Sequence, residues 1–430
     1  MTAPLKVALA GLGVVGAETF RLIAAQSELL RQRSGRPIQV TAVSAHDRMK
    51  NRGLDLSSMA WFDDSAAMAR EADADVVCEL IGGSDGIAKD TCEAAIAAGR
   101  HVVTANKALI AMHGVDMGRA AEGIGVTLAY EAAVAGGIPI IKALREGLAA
   151  NQVTRLQGIL NGTCNYILTS MRETGRDFSD ILAEAQEHGY AEADPTFDID
   201  GVDAAHKLAI LTSVAFGCEI DFDAVHIEGI RHIDAQDIRF ASELGYRIKL
   251  LGIAEIGEGG VQQRVHPSMV PLDAPIASVE GVFNGIVVEG DFVGATMFEG
   301  RGAGAGPTAS AVVADIVDIA RGRQTPTYGV PLDVLSGMQV RPMDERVGLY
   351  YVRVMVADMP GVFADIAGAL RDSQISIESA IQRGRAEDGV VPVVLTTHET
   401  KEAAMRQAME LIADLDSVAE PPRMIRIETA

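Results

Sequence analysis

The chain has 430 residues, of which 48% are hydrophobic and 22% charged, a composition typical of a globular protein with two or three domains. The net charge of -22 at pH 7 disfavours nucleic acids and anionic membranes as partners, because both are polyanions. No stretch has the roughly 18 uninterrupted apolar residues of a membrane span, and the N-terminus lacks a signal-peptide pattern, so we expect a cytoplasmic protein.

The N-terminal part alternates between strand-like and helix-like patterns. Residues 5–10 form a short apolar run, and helical periodicity follows it. Further strands are predicted at 37–45, 74–82, 101–106 and 126–137. Strands that alternate with helices imply parallel crossover connections. Residues 1–130 are therefore predicted to form a doubly wound nucleotide-binding domain.

A glycine-rich loop connects the first predicted strand to the first helix. Gly11, Gly13 and Gly16 form a G-x-G-x-x-G motif, with Val14 and Val15 inside it. Missing side chains permit a tight turn and let backbone N–H groups approach a pyrophosphate at the start of the helix. The motif in this position predicts a Rossmann-type dinucleotide site, whereas the alternative is a turn that only packs the helix on the sheet.

The end of the second predicted strand bears on which dinucleotide binds. An acidic side chain there favours a ribose 2′-hydroxyl, and a basic one favours a 2′-phosphate. The sequence has one acidic residue here, Asp47, followed by two basic ones, Arg48 and Lys50. We predict NADP or NAD, with NADP preferred, although each of these side chains is also compatible with a solvated turn.

The pattern changes after residue 130. Long helices are predicted among extended segments, at 138–149, 179–188, 201–216 and 234–249. This order predicts an α+β catalytic and dimerisation domain over residues 131–340. A helix at about 308–322 follows a second glycine-rich stretch, and we expect it to pack back on the nucleotide domain. Residues 348–430 have a βαββαβ pattern of ferredoxin-like type, which predicts a third domain.

One predicted helix contains a candidate catalytic pair. Asp203 and Lys207 are four residues apart and therefore share a helix face. Such a pair is usually a surface ion pair, but the surrounding helix is apolar, which favours a partly buried cleft. Asp200 precedes the helix and is a candidate N-cap. Lys107 follows a predicted strand at the sheet edge where doubly wound folds bind ligands, although a lone lysine there is often solvated.

Five segments, taken in order over nearly the whole chain, resemble the homoserine dehydrogenase family. They are GLGVVG, TANKALI, EAAVAGGIPI, GILNGTCNYIL and the array formed by Glu192, Asp198, Asp203 and Lys207. The resemblance implies an NAD(P)-dependent oxidoreductase that reversibly reduces L-aspartate 4-semialdehyde to L-homoserine. That reaction belongs to the biosynthesis of threonine, methionine and isoleucine.

The resemblance also implies roles for individual residues. Lys207 is similar to the proton donor to the semialdehyde carbonyl, Asp203 to its orienting partner, and Lys107 to a second cation beside substrate and nicotinamide. Glu192 is similar to the carboxylate that holds the substrate α-amino group. The remaining residues expected to line the substrate pocket are Tyr190, Asp198 and Thr163.

Two further sites follow from the resemblance. Gly189 and Gly304 match positions that approach the cofactor, although a glycine-rich loop can also be a linker. A monovalent-cation site, with Na⁺ as the expected ion because its donors are oxygens, is implied at Glu131, Val134, Gly136 and Ile138. The residues by themselves indicate only a strand-to-helix junction at that place.

The C-terminal region resembles an ACT domain, with Gly361 at its first strand–helix turn. The resemblance implies pairing in a homodimer or homotetramer and feedback inhibition by L-threonine as effector. The alternative is an assembly domain that binds no ligand, because a fold does not specify a function.

Two other functions compete with this interpretation. A different dehydrogenase, for aspartate semialdehyde or a 2-hydroxy acid, would use a nucleophilic cysteine or a catalytic histidine. Cys164 is the only cysteine near the proposed site, and no activating base stands beside it in the sequence. A non-catalytic sensor of nucleotides and amino acids would not need the Asp203–Lys207 pair.

Overall fold

The computed structural model describes residues 2–382 and 389–429. Its N-terminal strands are β1 (Leu5–Ala10), β2 (Ile38–Ser44), β3 (Ala60–Phe62), β4 (Val76–Glu79), β5 (His101–Thr104) and β6 (Leu128–Ala129). The helices between them are α1 (Val14–Ala25), α2 (Ser27–Ser34), α3 (Ser65–Glu71), α4 (Ile87–Ala97) and α5 (Lys107–Gly123).

These six strands form one parallel sheet in the order β3-β2-β1-β4-β5-β6. The strands are apolar and buried on both faces, as the fully buried Val7, Leu9 and Val77 illustrate. In this strand order, a ligand crevice opens between β1 and β4, where the winding direction reverses. The structure therefore confirms the predicted doubly wound fold.

The middle of the chain combines long strands with helices. The strands are β7 (Val153–Ile159), β8 (Val225–Ile227), β9 (Tyr246–Gly257), β10 (Gly260–Pro271), β11 (Phe283–Gly290) and β12 (Gly294–Arg301). The helices are α6 (Ile140–Lys142), α7 (Gly162–Thr174), α8 (Phe178–Glu187), α9 (Thr196–Ile199), α10 (Val202–Phe216), α11 (Ala235–Glu243) and α12 (Ala305–Ala320).

Helix α12 returns from this middle region to the first sheet. Its apolar face, with Val312 and Ile316 fully buried, joins the core formed by Val7 and Leu9 of β1. The helix also packs against α1 and α2. The glycine-rich segment before α12 is consequently held near the first domain's crevice.

The C-terminal region follows the predicted βαββαβ order with one short extra strand. Its elements are β13 (Val347–Ala357), α13 (Val362–Asp372), β14 (Ile377–Gln382), β15 (Val390–Thr397), β16 (Thr400–Lys401), α14 (Glu402–Ala413) and β17 (Arg423–Ile427). Its four main strands pair in the order β17-β13-β15-β14, all antiparallel. This is the predicted ferredoxin-like arrangement.

The middle and C-terminal strands belong to one 11-stranded sheet with the order β12-β11-β7-β9-β10-β17-β13-β15-β14, in which β8 also pairs with β10 and β16 with β13. The connection is a short parallel pairing in which Ser268 and Met269 of β10 face Arg426 and Ile427 of β17. The sequence did not predict this continuity, since pairing between distant strands leaves no local pattern.

Three predicted boundaries were wrong. The strand predicted at 126–137 contains only β6, because a 3-10 turn at Glu131–Ala133 ends it, and the backbone then bends again at Ala135 (φ 52°) and Gly136 (φ 20°). The helix predicted at 138–149 is α6 followed by a π-helical turn, Ala143–Gly147. The helix predicted at 234–249 ends at Glu243, since Gly245 (φ 87°) stops it and β9 begins at Tyr246.

Across residues 2–382 and 389–429, every helix is too short or too polar to span a lipid bilayer.

Candidate active site

A cleft of about 560 Å³ lies between the carboxyl edge of the six-stranded sheet and the 11-stranded sheet. Its walls come from seven parts of the chain: the start of α1, the segment after β5, the turn after β6, the β7–α7 junction, the loop before α10 with α10 itself, the start of β11, and the end of β12 with the segment before α12. The lining residues that carry the site are Val15, Lys107, Asn161, Thr163, Gly189, Tyr190, Glu192, Asp198, Asp203, Lys207, Asn284, Arg301 and Gly304. Tertiary folding thus brings residues from distant positions to one place.

The Asp203–Lys207 pair lies on the buried first half of α10, as the apolar pattern predicted. Lys207 Nζ donates to Asp203 Oδ2 at 2.7 Å and to the Leu160 carbonyl oxygen at 2.7 Å. The exposed fraction is 9% for Lys207 and 4% for Asp203. An ammonium group has three N–H donors, so one remains for a ligand in the cleft.

Lys107 joins the same carboxylate from the other side of the cleft. Its Nζ lies 3.2 Å from Asp203 Oδ1 and 5.7 Å from the centre of the Phe197 ring. It is the first residue of α5, whose N-cap Asn106 accepts a hydrogen bond from the Leu109 N–H at 3.1 Å. The cap fixes where α5 begins and therefore where Lys107 points.

Asn161 completes this cluster, and the sequence analysis did not single it out. Its Nδ2 donates to Asp198 Oδ1 and to Asp203 Oδ2, both at 2.8 Å. Its Oδ1 accepts the Cys164 N–H at 2.8 Å, which makes it the N-cap of α7. The signal in the sequence was the Asn-Gly-Thr start of a helix, which indicates a cap but not a partner on α9 or α10.

The two carboxylates of this cluster, the buried Asp203 and the half-buried Asp198, have pKa values shifted in opposite directions. Burial alone would raise the pKa of Asp203, but Lys207, Lys107 and the hydrogen bonds together lower it to about 2. Burial raises the pKa of Asp198, against the opposing hydrogen bond from Asn161. Asp203 is therefore a permanent anion that holds two lysines, whereas Asp198 is the carboxyl group that accepts a proton more easily.

The other predicted substrate residues line the outer part of the cleft. Thr163 Oγ1 donates to the Tyr190 carbonyl oxygen at 2.7 Å, which ties the loop after α8 to the start of α7. Glu192 is exposed and has no ion-pair partner among the described residues. Tyr190 is 45% exposed, and its ring centre lies 4.8 Å from that of Tyr166. An unpaired carboxylate and an exposed aromatic ring thus stand at the mouth.

Asp200 does not cap α10. The N-cap is Gly201 (φ 85°), and no side chain accepts from the first turn. The Asp200 carboxylate instead pairs with the Arg231 guanidinium. The predicted cap was wrong because this loop turns through Gly201 and directs the acid outward.

The glycine motif forms the predicted turn between β1 and α1. Gly11 has φ 96°, and a Cβ there would lie 2.5 Å from the Leu80 carbonyl oxygen. A Cβ on Gly16 would lie 1.9 Å from the Gly11 carbonyl oxygen, whereas one on Gly13 would meet nothing within 4 Å. Gly11 and Gly16 are therefore required by packing, and the open side at Gly13, next to the exposed Val14, fits the approach of a dinucleotide.

The charged turn after β2 lies beside this loop. Asp47 Oδ1 accepts the N–H groups of Met49 at 2.8 Å and Lys50 at 3.2 Å, so this oxygen is used to shape the turn. Arg48 is exposed, with its guanidinium 5.7 Å from the centre of the Trp61 ring. Arg52, which the sequence analysis did not name, donates to the Leu12 carbonyl oxygen at 3.1 Å.

The segment before α12 forms the wall of the cleft that faces α1. Gly304 has φ 121° and is the N-cap of α12. Gly302 is buried, and a Cβ there would lie 2.2 Å from Asn284 Cγ. Gly189, at the opposite side of the cleft, has φ 73°. Both predicted glycines therefore adopt conformations that other residues rarely adopt.

The predicted cation loop is compact and buried. Glu131 is 2% exposed, and its two carboxylate oxygens accept the N–H groups of Ile141 and Lys142, each at 2.9 Å. Val134 and Ile138 are also buried, with the bend at Gly136 between them. Among the described residues, no group of three or more His, Cys, Asp or Glu side chains could hold a metal ion. A cation here would depend on Glu131 and backbone oxygens.

A thiol-dependent dehydrogenase would use a cysteine as nucleophile, and Cys164 is unsuited to that role. Cys164 is fully buried, its Sγ lies 3.2 Å from the Asp198 carbonyl oxygen, and burial raises its pKa well above the ordinary value. A buried neutral thiol without a neighbouring base is a poor nucleophile. The charged side chains of the cleft are its lysines, its carboxylates and Arg301.

The C-terminal unit is joined to the middle of the chain by ion pairs whose arginines are buried. Arg426 of β17 binds both oxygens of Glu228, at 2.7 and 2.8 Å. Glu428 lies 2.9 Å from Arg346 and 3.2 Å from Arg264, and its exposed fraction is 5%. Gly361, at the first turn of this unit, has φ 99° and is the N-cap of α13.

Segment 228–231 extends this contact to the cleft. The Ile230 N–H donates to the Ile199 carbonyl oxygen at 2.8 Å. A Cβ on Gly229 would lie 2.2 Å from that same oxygen, so the two backbones are in close contact. Ile199 follows Asp198 in the cleft wall. One segment therefore contacts the C-terminal unit at Glu228 and the site loop at Ile199.

Family models account for most of the chain. Residues 11–131 match the model described as homoserine dehydrogenase, NAD binding domain, and residues 139–317 match the homoserine dehydrogenase model. Residues 350–416 match the ACT domain model.

Similar proteins and structures carry the same name. Homoserine dehydrogenase from Pseudomonas aeruginosa is 46% identical over 432 residues, which cover 99% of each chain. The protein of that name from Corynebacterium glutamicum is 39% identical and covers 98% of this chain and 95% of its own. The crystal structure of a homoserine dehydrogenase from Thiobacillus denitrificans has a TM-score of 0.93 and 44% identity, covering 99% of each chain. A hyperthermophilic archaeal homoserine dehydrogenase in complex with NADPH has a TM-score of 0.65 and 25% identity, covering 75% of this chain and 100% of its own.

Proposed function

The chain belongs to the homoserine dehydrogenase family and is an NAD(P)-dependent oxidoreductase, and we propose that its cleft interconverts L-aspartate 4-semialdehyde and L-homoserine. The observation that carries this proposal is the cluster of Lys207, Lys107 and Asp203 in one buried part of the cleft. The pathway is the biosynthesis of threonine, methionine and isoleucine.

Carbonyl reduction requires a hydride and a proton. NAD(P)H, when bound, supplies the hydride. Lys207 has one N–H free of protein acceptors and gives a proton to the carbonyl oxygen, while Asp203 and the Leu160 carbonyl hold its ammonium group in place. Lys107 adds positive charge where the oxygen becomes anionic. In the oxidative direction Lys207 takes the proton back.

The substrate is an amino acid, so the cleft also requires a group for its ammonium. Glu192 and Asp198 are the carboxylates on that side, with Tyr190 and Thr163 beside them. Glu192 holds the α-amino group because it has no cation of its own among the described residues.

The residues around the first turn fit a dinucleotide, and we assign Gly11, Gly13, Val14, Val15 and Gly16 to its pyrophosphate. Lys107, Gly189 and Gly304 are assigned to its nicotinamide end. NADP is the preferred form, because Asp47 shapes its own turn while Arg48 remains available to a 2′-phosphate. The NADPH complex of the archaeal relative supports this choice.

A monovalent cation, Na⁺ in our proposal, is held by Glu131 with backbone oxygens of Val134, Gly136 and Ile138. The donors are hard oxygens, which suit Na⁺, and the buried Glu131 carries charge that an ion would neutralise. Burial, followed by the neighbouring Asp315, raises the pKa of Glu131 to about 7, against the N–H groups of Ile141 and Lys142.

We assign residues 1–130 to nucleotide binding, 131–340 to catalysis and dimerisation, and 348–430 to regulation by L-threonine in a cytoplasmic homodimer or homotetramer. The regulatory assignment is supported by the ion pair between Arg426 and Glu228 and by the contact of segment 228–231 with Ile199. A ligand that shifts β17 therefore has a physical connection to the loop that carries Asp198.

The test is the decrease in NADPH absorbance with L-aspartate 4-semialdehyde in wild type and in Lys207→Ala. We expect rapid turnover in wild type and a loss of about 10²- to 10⁴-fold in the variant with NADPH binding retained. Absence of wild-type turnover in protein that binds NADPH would favour a nucleotide and amino-acid sensor. A parallel wild-type assay with L-threonine separates regulation, seen as inhibition, from a role in assembly alone.

A further inference from the structure

Asn284 is a buried amide in the cleft wall whose Nδ2 has no hydrogen-bond partner among the described residues. Its exposed fraction is 1%. Leaving a buried amide donor without an acceptor is unfavourable, because the group has lost its hydrogen bonds to water. This cost is explained if a ligand supplies the acceptor when it enters the cleft.

The surroundings of Asn284 fix its amide in position. Gly302 packs against it so closely that a Cβ there would lie within 2.3 Å of both Nδ2 and Oδ1. On the other side, a Cβ on Gly162 would lie 3.6 Å from Oδ1. Gly162 is the first residue of α7, a helix of 13 residues whose first-turn N–H groups face no acceptor within the helix.

A second donor stands beside it. The Arg301 guanidinium lines the same cleft and lies 5.6 Å from the centre of the Phe283 ring. It forms no ion pair within residues 2–382 and 389–429. The amide, the guanidinium and the start of α7 all favour an anion.

The charges in the cleft are thereby divided. Carboxylates of Glu192 and Asp198 stand on one side, and the donors of Asn284 and Arg301 on another. We propose that Asn284, together with Arg301, binds the α-carboxylate of the substrate and selects amino acids over simple hydroxy compounds or aldehydes. This inference rests on the proposed function, since it names the part of the substrate that these residues contact.

The test compares L-homoserine with L-homoserine amide, which has the same shape but no carboxylate charge. The variants are Asn284→Asp and Arg301→Ala, measured by kcat/KM in NADP⁺ reduction, with the amide scored as substrate or as competitive inhibitor. We expect each variant to lose about 10- to 100-fold with L-homoserine, the effect of one charge-assisted hydrogen bond, and less than about threefold with the amide. The amines of the two compounds differ in pKa. Each variant is therefore compared with wild type at one pH, so that this difference cancels in the ratio of their kcat/KM values.

The matched control is Asn151→Asp, which makes the same chemical change outside the cleft and retains Oδ1 as acceptor for the Val293 N–H. It should change neither substrate's kinetics. NADPH binding and thermal unfolding are measured for all variants. Arg301 is exposed, so Arg301→Ala tests the proposal even if Asn284→Asp does not fold.

Equal losses with both compounds would overturn the proposal, and if NADPH affinity fell as well, they would place Asn284 at the nicotinamide. Unchanged kinetics in both variants would also overturn it. Failure of the proposed function has a different result, namely a wild-type protein that binds NADPH but oxidises neither compound.

Discussion

Lys207 Nζ and Asp203 Oδ2 are 2.7 Å apart on consecutive turns of α10, and Lys107 reaches the other oxygen of the same carboxylate at 3.2 Å. One buried carboxylate therefore positions two ammonium groups from different domains. It keeps its charge at physiological pH because both lysines, against the effect of burial, lower its pKa to about 2.

Asp203→Asn keeps the shape of the side chain and removes the charge that holds both lysines. We expect kcat to fall by about 10- to 100-fold, because Lys207 loses the charge that orients its side chain, while NADPH affinity changes little. Steady-state kinetics with L-homoserine and NADPH titration by fluorescence measure the two effects. A loss confined to NADPH affinity would contradict the positioning role.

Asn161 allows the catalytic contribution to be separated from helix capping. Asn161→Ser retains a good N-cap for α7 but cannot reach Asp198 and Asp203 together. We expect thermal stability close to that of wild type and a fall of roughly tenfold in kcat/KM, the value of a hydrogen bond to a charged group. Asn161→Asp also retains the cap, but it adds a third carboxylate and should lose more activity. Wild-type activity in Asn161→Ser would exclude the amide donor as the important group.

Arg48→Ala tests the cofactor preference. We expect the ratio of kcat/KM for NADPH to that for NADH to fall by about tenfold, because a charge-assisted contact to the 2′-phosphate is lost and NADH has no such group. Arg33→Ala, an exposed arginine on α2, is the control and should leave the ratio unchanged. Equal losses with both cofactors would show that Arg48 supports the turn rather than the phosphate.

Glu131→Gln tests the cation site. In wild type we expect NaCl to raise the thermal unfolding temperature more than choline chloride at the same ionic strength, because a bound ion stabilises only the folded state. The variant should lose this difference, since the amide supplies no charge for the ion. A sodium effect that persists in Glu131→Gln would show that the ion binds at another place.

Glu428→Gln tests the buried connection between the catalytic and C-terminal units. Burial opposes ionisation of Glu428, but Arg264 and Arg346 hold its pKa well below its usual range. Because the folded-state pKa is lower than the unfolded value of about 4.5, the charged carboxylate stabilises the fold fully above that pH, and the stabilisation is lost as the pH falls below it.

At pH 7 the variant should therefore lose about 3–5 kcal/mol of unfolding free energy, because the buried Arg346 loses its anion and the buried Arg264 is left with Glu255 alone. The difference from wild type should shrink when urea unfolding is repeated below pH 4.5. Glu93→Gln, which removes an exposed pair with Lys89, should match wild type at both pH values. A constant difference at all pH values would contradict the linkage.

The sequence by itself determined the fold class and much of the candidate site. Alternation of strands and helices is local, so it predicted the parallel sheet, and the glycine spacing predicted the turn at Gly11, Gly13 and Gly16. The four-residue spacing of Asp203 and Lys207 follows from helix geometry, which is why their contact was predictable. The order of the family segments then indicated the activity.

Only the tertiary structure decided which distant groups meet. Lys107 and Asp203 are 96 positions apart in the sequence. They are in contact because the edge of one sheet faces a helix packed on another, and no local pattern encodes that contact. For the same reason the roles of Asn161 and Asn284 were not predicted: an asparagine before a helix looks like a cap, and one inside a strand has no evident role until its neighbours are known. The pairing of β10 with β17 is likewise a long-range contact, fixed by packing and buried charge rather than by the sequence of either strand.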